Sequence, residues 1–240
     1  MQIVSRSHSH IVIIGTGQLG SRHLQGLTRI GQKIQVSVID PNPEAQEIAR
    51  KRYFDMPENQ LIQSIAFLDS MDQLEDTVDL AIIATNADIR RVVIETLVKK
   101  TKVKYLLLEK VVFQSVIDFK EVMPFLEEMV IKVWVNCARR MHPFFQELKK
   151  RTVNCSKVSL FVEGSNWGLA CNTIHLLDLL AFLTEQTKFE VDASNLDQQV
   201  YEAKREKFIE FGGELRAESQ RGDTLVLVDN RKNQMPLKLR

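Results

Sequence analysis

Four apolar residues, Ile11-Val12-Ile13-Ile14, run without interruption into Gly15-Thr16-Gly17-Gln18-Leu19-Gly20 and on into an amphipathic stretch over residues 18–30. Three glycines at this spacing, between a strand-like and a helix-like run, leave few folds open. The first permits a tight turn, the second lets a ligand approach the backbone, and the third lets the helix pack closely on the strand. The N–H groups of a helix's first turn have no partner within the helix and suit an anion, so the spacing predicts a cradle for a dinucleotide pyrophosphate. The candidate loop is Gly15, Thr16, Gly17, Gln18, Leu19 and Gly20. The next apolar run ends in Asp40, about twenty residues beyond the last glycine, where a carboxylate accepts ribose hydroxyls. A carboxylate there repels a 2'-phosphate, and Pro41-Asn42-Pro43 adds no cation, so NAD is expected rather than NADP. The competing reading is a plain glycine turn with Asp40 capping a helix.

The alternation continues. Strand-like runs over residues 11–14, 34–39, 80–84, 105–108 and 131–135 enclose helical-period stretches over 18–30, 44–53, 89–100 and 116–129. Strands apolar throughout belong to a parallel sheet covered on both faces, so the expected fold class is α/β, an N-terminal Rossmann doubly wound sheet. After residue 136 the pattern changes to a helix at 140–150, a strand at 158–163 and a strongly apolar helix at 169–184. Strands at 189–200, 207–211, 214–219 and 224–228 follow, with hairpin turns expected at Gly212-Gly213 and Gly222-Asp223. These describe a smaller α+β second domain on an open, mostly antiparallel sheet. The expected division is a NAD-binding domain over 1–137 and a substrate and oligomerisation domain over 138–240, closely packed because no Pro/Gly linker separates them.

Composition narrows the partners. The 240 residues carry 32 Lys plus Arg against 31 Asp plus Glu, a formal net charge of +1. Such a balance supplies no field that draws a chain onto phosphate backbones or anionic lipid, so neither nucleic acid nor a membrane is an expected partner. The longest apolar runs fall short of the roughly 20 residues that span a bilayer. Residues 1–10 lack the basic and apolar regions of a secretory signal, and Cys137, Cys155 and Cys171 form no CxxC pair, so a cytoplasmic location is expected. His8 and His10 have no cysteine or carboxylate cluster beside them, so no metal site is expected.

Two further segments end strand-like runs, where ligands of doubly wound folds bind. Thr85-Asn86 is placed to line the nicotinamide ribose, or to cap the helix that follows. Glu109-Lys110 puts two charges after a buried run. A lysine at such an edge can hydrogen-bond a substrate hydroxyl or carbonyl and carry its proton; a solvated charge pair is the plainer reading.

Taken in order, Gly15 to Gly20 followed by Arg22-His23-Leu24, then Ala84-Thr85-Asn86, Glu109-Lys110, Arg140 with Pro143, and His175-Leu176-Leu177-Asp178 resemble the Gfo/Idh/MocA family of oxidoreductases over nearly the whole chain. The family is named for glucose-fructose oxidoreductase and inositol dehydrogenase. The resemblance implies that Lys110 assists hydride transfer, that Glu109 positions it or the nicotinamide, and that His175 faces substrate from the first long helix of the second domain. On that helix Cys171, His175 and Asp178 fall on one face, with Ile174, Leu177 and Leu180 expected toward the core. Without the resemblance, His175 reads as a satisfied core histidine. The chain departs from the family pattern at Val111, where a proline is usual, at Cys171, where an aspartate commonly precedes the histidine, and at Arg90, where a histidine is common. Its second domain is also expected to be shorter than the family's. The family's outer sheet face commonly serves oligomerisation, which implies a homodimer through the second-domain sheet.

Arg140 is a further candidate for a substrate carboxylate or phosphate, with Asp178, Asn166 and Trp167 as candidate contacts to a sugar-like ligand; a solvated helix start and a packed indole are the plainer readings. The expected activity is NAD(P)-dependent hydride transfer to or from a secondary alcohol or ketone of a sugar, polyol or nucleotide-sugar. The alternative is a catalytically inactive dinucleotide-binding sensor or assembly protein of the same fold.

Overall fold

In the computed structural model, which describes residues 8–203 and 205–240, the apolar runs of the first half become the strands of one sheet. The order is β1 (Ser9–Ile14), α1 (Gln18–Leu27), β2 (Ile34–Ile39), α2 (Pro43–Phe54), β3 (Ile62–Leu68), β4 (Thr77–Ile83), α3 (Ala87–Lys100), β5 (Lys102–Leu108), α4 (Val116–Glu128) and β6 (Lys132–Val135). All neighbours pair in parallel, in the spatial order β3-β2-β1-β4-β5-β6. This is the doubly wound Rossmann arrangement, whose strand order reverses beside β1.

β1 shows why the strands are apolar on both sides. Ile11 and Ile13 pack with Leu24 of α1 and Ala49 of α2, while Val12 and Ile14 pack on the other face with Ile94 and Leu97 of α3 and Val122 and Leu126 of α4. Each such side chain, fully buried, contributes about 1.5–3 kcal/mol. His10, 1% exposed, belongs to this strand. Its backbone N–H donates to Asp79 Oδ2 at 2.9 Å, and its ring nitrogens lie 2.9 Å from Ser37 Oγ and 3.3 Å from the Thr77 carbonyl, so it ties β1 to both neighbours. β3 has no counterpart among the expected strands. It is an edge strand whose polar residues Gln63 and Ser64 are exposed, which erases the uninterrupted apolar pattern of its neighbours.

The chain divides after Asn136, and Cys137–Arg240 forms a second unit. It runs α5 (Pro143–Thr152), β7 (Ser159–Gly164), α6 (Leu169–Thr184), β8 (Phe189–Asp192), β9 (Leu196–Glu202), β10 (Ile209–Ser219), β11 (Thr224–Asp229) and β12 (Lys238–Leu239). The sheet is ordered β12-β7-β11-β10-β8, with β9 also on β10. Every pair is antiparallel except β7 with β11.

The structure corrects the local reading at four places. The helix expected over 140–150 starts at Pro143 instead, behind a short 3-10 turn (Ala138–Met141). Pro143 suits a first helical position, and the His142 side chain accepts the Phe144 N–H at 3.3 Å. The run 189–200 splits into β8 and β9. Gly212-Gly213 is not a hairpin: it lies inside β10, at a register shift, with Gly213 at φ +92°, where a β-carbon would fall 2.5 Å from the Asn195 carbonyl oxygen and 2.7 Å from the Asp197 nitrogen. Lastly, α6 turns Leu169, Leu176, Leu179, Leu180 and Leu183 inward, whereas Ile174 is exposed. The turn at Gly222-Asp223 does join β10 to β11, with Gly222 at φ +88°. Among the described residues, no helix is long and apolar enough to cross a membrane.

Candidate functional site

The site is built along the carboxyl edge of the first sheet. β1 ends at Gly15, whose φ of +92° only glycine adopts without strain, and the chain enters α1 at Gly17. A β-carbon at Gly15 would touch the Ala84 and Thr85 backbone at 3.0 Å. One at Gly20 would fall 1.8 Å from the Gly15 carbonyl oxygen, and one at Gly17 would meet nothing within 4 Å. The first and third glycines thus let two chain segments meet, and the second leaves space in front of the helix. No side chain caps α1 and no acidic residue stands in its first turn, so the terminus keeps its affinity for an anion. This cradle fits a dinucleotide pyrophosphate.

Asp40, one residue past β2, is committed to the same loop. Its Oδ2 accepts the Thr16 N–H at 2.7 Å and the Thr16 hydroxyl at 2.9 Å, while Oδ1 accepts the Asn42 N–H at 2.9 Å. A carboxylate has about four acceptor positions, so three contacts leave room for one ribose hydroxyl, not two. The same side chain therefore shapes the loop.

Past β4 and β5 lie the remaining candidates of this unit. Thr85 Oγ1 is buried without a hydrogen-bond partner among the described residues, an acceptor and donor in want of a ligand. Asn86 precedes α3 without a side-chain capping bond, so the capping reading does not hold for it. Glu109 is 3% exposed; its Oε1 lies 2.7 Å from His23 Nε2 and accepts the Asn136 amide at 2.7 Å. Burial alone raises its pKa, but the bonds from His23 and Asn136 and the positive charges of His23 and Arg90 outweigh it and hold the carboxyl below its ordinary range. Lys110 is half-buried, and the Lys110-Val111 peptide bond is cis. Arg90, on α3 and 2% exposed, donates from Nη1 to the carbonyls of Glu109 at 2.6 Å, Val112 at 2.9 Å and Val111, and from Nη2 to that of Thr85. His23, Asn136 and Arg90 had no assigned role in the sequence reading. His23 enters the family resemblance without a role of its own, and Asn136 carries no signal, until Glu109 is seen between them.

The second unit holds the other candidates. Arg140 forms a fork with Asp178, Nε donating to Oδ2 at 3.0 Å and Nη2 to Oδ1, so these two candidate substrate contacts engage each other. His175 is half-buried on α6 and Cys171 exposed one turn before it. Trp167 donates its indole N–H to the Val228 carbonyl at 2.9 Å and packs on the core, the plainer of its two readings; Asn166 Oδ1 accepts from Arg231 at 3.0 Å. The α6 terminus is closed by Glu210, which accepts the N–H groups of Ala170 at 2.8 Å and Cys171 at 3.3 Å.

Residues 9–137 match the model of the Gfo/Idh/MocA oxidoreductase family, NAD-binding Rossmann fold. Comparison with curated proteins gave no match. Among solved structures, apo scyllo-inositol dehydrogenase from Lactobacillus casei is 15% identical, with a TM-score of 0.68 over 97% of this chain and 71% of that one. A UDP-N-acetylglucosamine 3-dehydrogenase from Acidithiobacillus ferrooxidans is 20% identical, with a TM-score of 0.66 over 97% and 71%. An NAD-binding protein from Listeria innocua is 18% identical, with a TM-score of 0.71 over 98% and 71%. At these identities the likeness concerns the fold.

Proposed function

The chain belongs to the Gfo/Idh/MocA oxidoreductase family, whose NAD-binding Rossmann fold its residues 9–137 match, and on that premise we propose that it moves hydride between NAD and a secondary alcohol or ketone of a sugar, polyol or nucleotide-sugar. The observation that carries the reading is the glycine cradle, tight at Gly15 and Gly20 and open at Gly17 before an uncapped helix. The nicotinamide, when bound, supplies the hydride acceptor or donor. Gly15 to Gly20 hold the pyrophosphate through backbone N–H groups, Thr85 Oγ1 and Asn86 serve the nicotinamide ribose, and Asp40 takes the adenosine ribose. The Asp40 carboxylate also supports NAD over NADP, since it would face a 2'-phosphate with like charge.

Lys110 handles the proton. As the carbinol hydrogen leaves as hydride, the hydroxyl proton passes to the Lys110 amine, and it returns in the reverse direction. Positioned proton transfer of this kind contributes about 100- to 10,000-fold in rate. Glu109, held anionic by His23 and Asn136, supplies the negative charge beside it. His175 is assigned the second proton-handling role and Arg140, Asn166, Trp167 and Asp178 the substrate side, on the strength of the family pattern. A reducing, cytoplasmic setting suits three cysteines without paired spacing. The second sheet's face bearing Phe161, Val226 and Val228, opposite Leu225 and Leu227, is the surface offered for a homodimer.

The test is a fluorescence titration of the protein with NADH and with NADPH, for the wild type and Asp40→Asn, which removes the charge and keeps an acceptor for Thr16. Tighter NADH binding that narrows toward NADPH in the variant supports the reading. Absence of binding to either overturns it, and tighter NADPH binding overturns the choice of cofactor. Lys110→Ala is expected to bind NADH and to lose turnover in a sugar and polyol screen. Sedimentation equilibrium on the same sample reads the dimer.

A further inference from the structure

Arg90 stands in the first turn of α3, where the helix dipole disfavours a cation, and it is 2% exposed. A guanidinium is costly to bury unless its N–H groups are taken up. Here the terminal Nη1 and Nη2 groups are taken up by backbone carbonyls on two separate turns. Nη2 reaches Thr85, past β4, and Nη1 reaches Glu109, Val111 and Val112, the residues that bracket Lys110 past β5. A planar fork can span both turns at once. A lysine ammonium donates from one point, and a glutamine amide has two N–H donors, so neither reproduces the span.

We propose that Arg90 is the positioning residue for Lys110: a clamp that fixes the Lys110 turn against the Thr85 turn, so that the proton-handling amine and the buried Thr85 hydroxyl form one rigid edge. In what it says of turnover, the proposal rests on the reading of Lys110 given above. In what it says of geometry, it stands without that reading. It also accounts for the family departure at this position, because an imidazole has two nitrogens where Arg90 serves four carbonyls.

The experiment uses the full chain as wild type, Arg90→Lys, Arg90→Gln and Arg90→Ala. Acylation of each lysine by acetic anhydride is followed across a pH series by peptide mass spectrometry, with and without guanidinium chloride at low millimolar concentration, and NADH is titrated in parallel. The expected result is that the Lys110 profile shifts in all three variants while surface lysines such as Lys99 keep theirs. Added guanidinium returns the Arg90→Ala profile toward wild type, and NADH binding, which rests on the glycine loop, is retained. With a turned-over substrate, kcat falls about 100-fold, the cost of roughly 1 Å of misplacement, at unchanged KM for NADH. An unshifted Lys110 profile in folded variants overturns the proposal. So does unfolding of all three variants without recovery in guanidinium, which would make Arg90 a structural residue only. A wild type that binds no NADH defeats the dinucleotide reading, while the acylation result still decides the clamp.

Discussion

Three glycines, one capping α1 and two within it, separate the roles of space and contact. A β-carbon at Gly20 would sit 1.8 Å from the Gly15 carbonyl oxygen, 2.9 Å from its carbonyl carbon and 3.3 Å from the Ala84 β-carbon. Carbon and oxygen tolerate about 3.3 Å, so in Gly20→Ala the start of α1 and the Gly15 turn must part by about 1.5 Å. Both sides are backbone, and no rotamer relieves the contact. Overpacking of this kind costs about 1–3 kcal/mol, and its upper end applies here; alanine's helix propensity returns about 1 kcal/mol. The net loss is about 2 kcal/mol, or about 4–8 °C in melting temperature. Gly26, later in the same helix, has nothing within 4 Å of its β-carbon position, so Gly26→Ala gains about 0.5–1 kcal/mol. Gly17→Ala keeps stability within about 0.5 kcal/mol but places a methyl in the open space proposed for the pyrophosphate. Thermal melts without ligand and NADH titrations read both quantities. Gly20→Ala and Gly17→Ala lose NADH affinity, and only the first loses stability. A Gly20→Ala protein that melts at or above Gly26→Ala, or a Gly17→Ala protein with wild-type NADH affinity, refutes the reasoning.

Two further outcomes follow from the same edge of the sheet. Glu109 is held below its ordinary value of 4.5 in the folded state, so its contribution is complete above that value and disappears as pH falls through the depressed one. Glu109→Gln is expected to cost about 1–3 kcal/mol at neutral pH, and its urea midpoint should converge on the wild type's in acid; a gap that stays constant from neutral to acid pH contradicts this. Thr16→Val deletes the hydroxyl bond to Asp40 and keeps the backbone one. It should lower ligand-free stability by about 1–2 kcal/mol, and calorimetry showing no change would mean that Asp40 does not organise the loop.

Much of the first unit could be read in advance because its strands are apolar on both faces and its glycines stand at a fixed spacing. Gly15, Gly17 and Gly20 meet the surroundings expected of each. β3 escaped because an edge strand is free to be polar on its open side. In the second unit, Gly212-Gly213 resembles a hairpin signal, yet β10 uses Gly213 for its positive φ and for the close backbone of Asn195 and Asp197, where a side chain would clash. That constraint comes from residues remote in sequence, so no local pattern carries it. The α6 face was misassigned for a related reason: a helix apolar nearly all round does not disclose which side the sheet will cover. Arg90 stands in the sequence as a departure from a histidine common in the family. Its only sequence signal is a cation in the wrong turn of a helix, and its meaning rests on carbonyls that two strand ends bring to it.

β7 has a history as well as a position. Both of its hydrogen-bonding neighbours, β11 and β12, come later in the chain, and Ser159 must wait for Thr224, 65 residues on. As the polypeptide leaves the ribosome, the first sheet can close while β7, with α6 available to cover Leu160 and Val162, still has two bare edges. Bare strand edges invite pairing with other chains. Yield in a host cell is therefore expected to rise when a lower growth temperature or a holdase protects β7 in the interval between synthesis of residues 164 and 224.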